Sequence, residues 1–129
     1  MKICVTSESN SLDSKVDPRF GRCQYFIIID TETLEFDAIP NSNIEAIGGA
    51  GVQSGQLVAE KEVKAVLTGN VGPNAYFTLR SAGIDVITKV SGTVKEAIEK
   101  YKKGEFKPTQ GPSVNSKFGM PEKESKGGM

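Results

Sequence analysis

The 129-residue chain has no histidine, only two cysteines and no excess of either charge, and each of these lacks removes a class of function. Without histidine there is no Ser-His or Cys-His nucleophile pair and no proton shuttle near neutral pH, and most zinc sites are excluded. Cys4 and Cys23 form neither a disulfide framework nor a spaced metal motif. Sixteen Lys and Arg balance sixteen Asp and Glu, so no general nucleic-acid binder is expected. No apolar run approaches the roughly 20 residues of a membrane span, and the start, Met1-Lys2-Ile3-Cys4-Val5, turns polar too soon for a signal peptide. The expectation is a soluble, cytoplasmic protein with no membrane partner. Function must then be built from backbone amides, arginines, carboxylates, side-chain amides, hydroxyls and a thiolate.

The length suits one domain of the usual ~100–150 residues. Charge is divided unevenly along it: residues 1–101 carry net −3 and residues 102–129 net +3, the latter with three of the six prolines and five of the fourteen glycines. This predicts a folded body over 1–106 and a flexible basic tail over 107–129.

Within the body, Lys2–Thr6 reads as a buried strand, and Ser7–Arg22 as a polar loop long enough to be functional. Gln24–Ile29 and Leu34–Ile39 form a hairpin around Asp30-Thr31-Glu32-Thr33. Gly48-Gly49-Ala50-Gly51 opens a helix to about Lys61, and Ala65–Thr68 is an apolar strand. Pro73 starts a second helix that ends at Gly83, Ile84–Ile87 is the fifth strand, and Thr93 with Glu96 makes a capping box for a last helix that stops at Gly104. Three strands without helices, followed by helix, strand, helix, strand, helix, predict an α/β fold. Its five-stranded mixed sheet joins an antiparallel meander to parallel strands, with helices on both faces, a ribonuclease H-like arrangement.

Ligands on such sheets collect beyond the carboxyl ends of the parallel strands. Three segments are expected there: the Ser7–Arg22 loop with Arg19 and Arg22, the glycines Gly48–Gly51, and Gly69-Asn70-Val71-Gly72-Pro73-Asn74. Helix N-termini present unpaired amides and partial positive charge, so a site for a bulky anion is predicted. Each feature also has a structural reading. The glycines match neither a Walker A loop nor GxGxxG and equally serve tight helix packing; Asp17 and Phe20 suit a turn and a core plug; Cys4 and Cys23 suit the core. A two-metal nuclease is excluded, because neither the first strand nor Ala65–Thr68 carries a carboxylate. An enzyme acting on a phosphate-containing small molecule, or a module docking through its basic tail, remain as alternatives.

Read in order, Asp17-Pro18-Arg19-Phe20-Gly21-Arg22, Tyr25-Phe26, Gly49-Ala50-Gly51 with Leu57, Thr68–Ala75 and Ala82-Gly83-Ile84 resemble the dinitrogenase iron–molybdenum cofactor biosynthesis family over about residues 1–105. That resemblance implies a noncatalytic carrier that holds an anionic iron–molybdenum or iron–sulfur cluster for delivery to an assembly or recipient protein. Carried over residue by residue, it nominates Arg19, Arg22, Gly49, Gly51, Asn70, Gly72 and Asn74 as the cradle and Cys23 as an optional metal ligand. Cluster ligation in some relatives is attributed to histidine, which this chain lacks, so a looser hold is implied.

Overall fold

The structure is a computed structural model that describes residues 1–42 and 49–114. Eight elements follow in chain order: β1 (Lys2–Ser7), β2 (Tyr25–Asp30), β3 (Phe36–Pro40), α1 (Ala50–Glu60), β4 (Ala65–Leu67), α2 (Pro73–Ser81), β5 (Asp85–Ile87) and α3 (Val94–Lys102). The five strands form one sheet in the order β3-β2-β1-β4-β5. β1 pairs antiparallel with β2 and β2 with β3, whereas β4 runs parallel to both β1 and β5. This is the mixed five-stranded sheet expected from the order of elements.

Alternation along the central strands divides the core in two, because successive side chains point to opposite faces. Cys4, Phe26, Ile28, Val66 and Val86 face a layer that holds Val58 of α1 and Ala75, Tyr76 and Leu79 of α2. Ile3, Val5, Ile27, Ile29, Leu67 and Ile87 face Val94, Ala97 and Ile98 of α3. Helices thus cover both faces, and β1, β2 and β4 are buried on each side, which is why they read as unbroken apolar runs. Phe20 plugs the first layer, its ring centroid 5.6 Å from that of Phe26. Burying one such ring contributes roughly 1.5–3 kcal/mol.

Strand ends shift by a residue from the sequence reading, and two differences go further. β3 starts at Phe36 rather than Leu34, because Leu34 sits at φ 66 and donates its amide to the Asp30 carbonyl at 2.8 Å, closing the hairpin turn. The segment expected to be flexible from Lys107 is bonded to the body in its first part. The Thr109 amide donates to the Val86 carbonyl on the outer edge of β5 at 2.6 Å, and the Ser113 amide donates to the Val71 carbonyl at 2.9 Å. Residues 115–129 of that segment lie outside the described residues, as does Gly48. Among the described residues no helix is long and apolar enough to cross a membrane.

Candidate functional site

The parallel strands β1 and β4 end side by side, and their carboxyl ends launch the two segments on which the site is built. Thr6 and Thr68 leave the sheet with their hydroxyls 2.8 Å apart, and both reach the Asp17 carbonyl, at 2.7 and 3.4 Å. The long loop after β1 is thereby pulled back across the end of β4. Pro18 then packs on the β4–α2 turn: a Cβ on Gly69 would stand 2.6 Å from Pro18 Cα, so only glycine fits. One residue further on, Arg19 bridges to Asn70 in parallel fashion, and the Phe20 amide donates to the Asn70 carbonyl at 3.2 Å.

Asp17 organises this loop. Its side chain is buried and accepts from the Arg19 amide at 3.1 Å and the Gln24 amide at 3.3 Å. The Arg19 guanidinium folds onto the same carboxylate, with Nε 3.2 Å from Oδ1 and Nη2 3.4 Å from Oδ2. Gly21 is held from two other elements: Asn41, just after β3, donates its side-chain amide to the Gly21 carbonyl at 3.1 Å and to the Cys23 carbonyl at 2.9 Å, and the Ser54 hydroxyl of α1 donates to Gly21 at 3.3 Å.

The glycine-rich helix starts complete the arrangement. A Cβ on Gly21 would approach Gly51 to 3.3 Å, and a Cβ on Gly51 would lie 3.2 Å from the Ala75 amide nitrogen. The loop, the start of α1 and the start of α2 therefore meet at one place. Gly49 caps α1 in the left-handed region at φ 79 and Gly72 caps α2 in extended conformation; neither start has a side-chain cap or an acidic residue in its first turn. Each keeps the partial positive charge of a helix N-terminus that lacks a side-chain cap, although Pro73 gives α2 no amide at its first position. Gly49 and Asn74 are exposed there, while Gly51, Asn70 and Gly72 are half-buried.

Of the residues nominated from sequence, Arg19, Gly49, Gly51, Asn70, Gly72 and Asn74 come together at this junction. The other two do not present themselves as expected. Arg22 is buried to 4% exposure and engaged with its own partner, because the chain turns inward at the Arg22 amide, bonded to the Arg19 carbonyl, on its way into β2. Cys23 is fully buried beside Cys4 in the α1/α2 layer. Burial first, then the neighbouring Cys4 and Asp17, pushes its thiol well above the ordinary value, and burial alone does the same to Cys4. A thiolate ligand is thus disfavoured at either position. No group of three or more Cys, Asp or Glu is placed to hold a metal ion among the described residues.

The residues that brace the site, Thr6, Thr68, Asn41 and Ser54, carry no sequence signal, since each acts through hydrogen bonds to groups distant in sequence. A hollow of about 490 Å³ on the outer flank of the loop is lined by Glu8, Asp17, Pro18, Arg19 and Gln24. Two carboxylates against one guanidinium make that flank unsuited to an anion; the acid-free helix starts are the better anion site.

Fold and site together define a small α/β domain with a glycine-lined junction at the carboxyl edge of its sheet. The chain belongs to the dinitrogenase iron-molybdenum cofactor family, whose sequence model matches residues 1–104. It is similar to the orange protein of Desulfovibrio gigas in its apo form, with 35% identity and a TM-score of 0.85 over 88% of this chain and 96% of that one. A Thermotoga protein of the DUF35 family, provisionally labelled NifB, gives 36% identity and a TM-score of 0.73 over 83% of this chain and 91% of the other. An uncharacterised protein of Methanocaldococcus jannaschii is 32% identical over 109 residues, 82% of this chain and 89% of its own length.

Proposed function

We propose that the protein is a noncatalytic carrier that holds an anionic metal–sulfur cluster, of iron–molybdenum or iron–sulfur type, for delivery to an assembly or recipient protein. The reading is supported above all by two uncapped, acid-free helix starts abutting at the Gly51–Ala75 contact. Two helix starts brought together place two partial positive charges at one junction, which suits an anionic cluster with many sulfur and oxygen acceptors. The donor set fits outer hydrogen bonding of the cluster rather than direct ligation, since both thiols are buried. Arg19 serves the junction through its backbone, which bridges to Asn70, while its guanidinium is committed to Asp17 on the outer flank. A carrier needs no reactive side chain, in keeping with a chain that has no histidine. We read the sheet as a ribonuclease H-like variant, with residues 1–106 as the binding body and 107–129 as an appendage to it.

The test is anaerobic titration with tetrathiomolybdate, a simple metal–sulfur anion, followed by absorbance and metal analysis. The wild type should bind it, and Asn74→Asp should bind at least tenfold more weakly, because it sets a negative charge in the first turn of α2. Equal binding by the two proteins would refute the junction as the site, and phosphate competing better than the thioanion would point to a phosphate-bearing guest instead.

A further inference from the structure

The amide that follows Asn70 is already in use by the chain itself. Ser113 Oγ accepts from the Val71 amide at 2.9 Å, the Ser113 amide donates to the Val71 carbonyl at 2.9 Å, and the Ser113 hydroxyl lies 3.3 Å from Asn70 Oδ1. A serine more than forty positions away in sequence therefore occupies both the backbone and the side chain of the β4–α2 turn. Its hydroxyl stands where an acceptor atom of a bound anion would stand.

The two halves of this segment are held unequally. At Thr109 the grip is multiple: the amide bonds the edge of β5, the hydroxyl lies 2.7 Å from that of Thr88, and the carbonyl accepts from the Tyr76 hydroxyl at 3.3 Å. At Ser113 the hold rests on hydrogen bonds from an exposed residue. Between them, Gly111 has nothing within 4 Å of where a Cβ would stand, so no side-chain-sized contact holds the segment at that point.

We propose that residues 109–114 are a displaceable strap, anchored at Thr109 and released at Ser113, that competes with the guest for the Asn70–Val71 edge of the junction. The proposal rests on the reading of that junction as an anion site. With the strap down, the turn's own donor is satisfied and the site is partly closed. An anion takes the Val71 amide only after Ser113 leaves, so the closed fraction lowers the apparent affinity. Release is local, because the Thr109 anchor does not depend on Ser113.

Two measurements on the full chain test this. Ser113→Ala should bind tetrathiomolybdate about three- to tenfold more tightly than wild type, the range set by the net strength of one or two hydrogen bonds. In the wild type, saturating tetrathiomolybdate should speed exchange of the Ser113 amide proton while the Thr109 amide stays protected. Unchanged or weaker binding by Ser113→Ala, or a Ser113 amide that stays protected at saturation, overturns the strap and leaves the junction reading standing. If neither wild type nor Ser113→Ala binds the thioanion, the junction reading falls and the strap falls with it.

Discussion

The α3 face and the α1/α2 face of the sheet use the same materials to opposite ends. α3 closes its own N-terminus: the Thr93 hydroxyl accepts from the Glu96 amide at 3.1 Å and the Glu96 carboxylate accepts from the Thr93 amide at 3.0 Å, with Lys100 and Lys102 at the far end to complement the dipole. α1 and α2 have no such cap. They rely on glycines that let backbones touch, and beneath them lie both thiols of the molecule. A sequence able to cap one helix fully leaves the two helices at the junction open. The difference teaches that the α3 layer is built for stability and the α1/α2 layer for exposure of backbone at one point.

The sharpest test of that contrast is Gly69→Val. Its Cβ would collide with Pro18, so the variant should lose about 3 kcal/mol in urea unfolding; a loss under about 1 kcal/mol would show that the turn yields and the close approach is not needed. Alkaline pH should come next. Both thiols are held above their ordinary value in the fold, so above about pH 9 the unfolded chain releases protons that the native chain keeps, and stability falls as pH rises. The loss is on the order of 1 kcal/mol per thiol by pH 10. Comparing Cys4→Ala with wild type at pH 8 and pH 10 should show roughly half the loss in the variant; an equal loss in both would assign it to other groups.

On the α3 side, Thr93→Ala should cost about 1 kcal/mol by thermal or urea melting and leave thioanion binding untouched. Any change in binding would mean that the two layers are coupled. The smallest effect is the converse case. Asn74→Asp should raise stability by about 0.3–1 kcal/mol, since an acid favours a bare helix start, even as it weakens binding. A stability loss there would show that the α2 start is already satisfied.

Much of this was legible from sequence because it is written in local pattern. The capping box of Thr93 and Glu96, the Gly72-Pro73 helix start and the apolar runs of β1, β2 and β4 each declare an element without reference to the rest of the chain. The meeting of the Arg19 loop with Gly51 and Asn70 followed from topology, since parallel strands bring their carboxyl ends together. What stayed hidden depends on long-range pairing. Nothing beside Ser113 announces Val71, and nothing in Asn41-Ser42 announces the carbonyls of Gly21 and Cys23. Arg22, nominated for the cradle beside Arg19, is hidden for a related reason: nothing local shows that the turn from Arg19 carries its side chain inward.

One carboxylate grips the Arg19–Gln24 loop at both of its ends, through the amides of residues 19 and 24. The two ends of the loop are thereby tied to a single buried side chain, while its middle is held separately at Gly21 by Asn41 and Ser54. The conformation of the loop is therefore set by the fold, and replacing that one carboxylate would release both ends together.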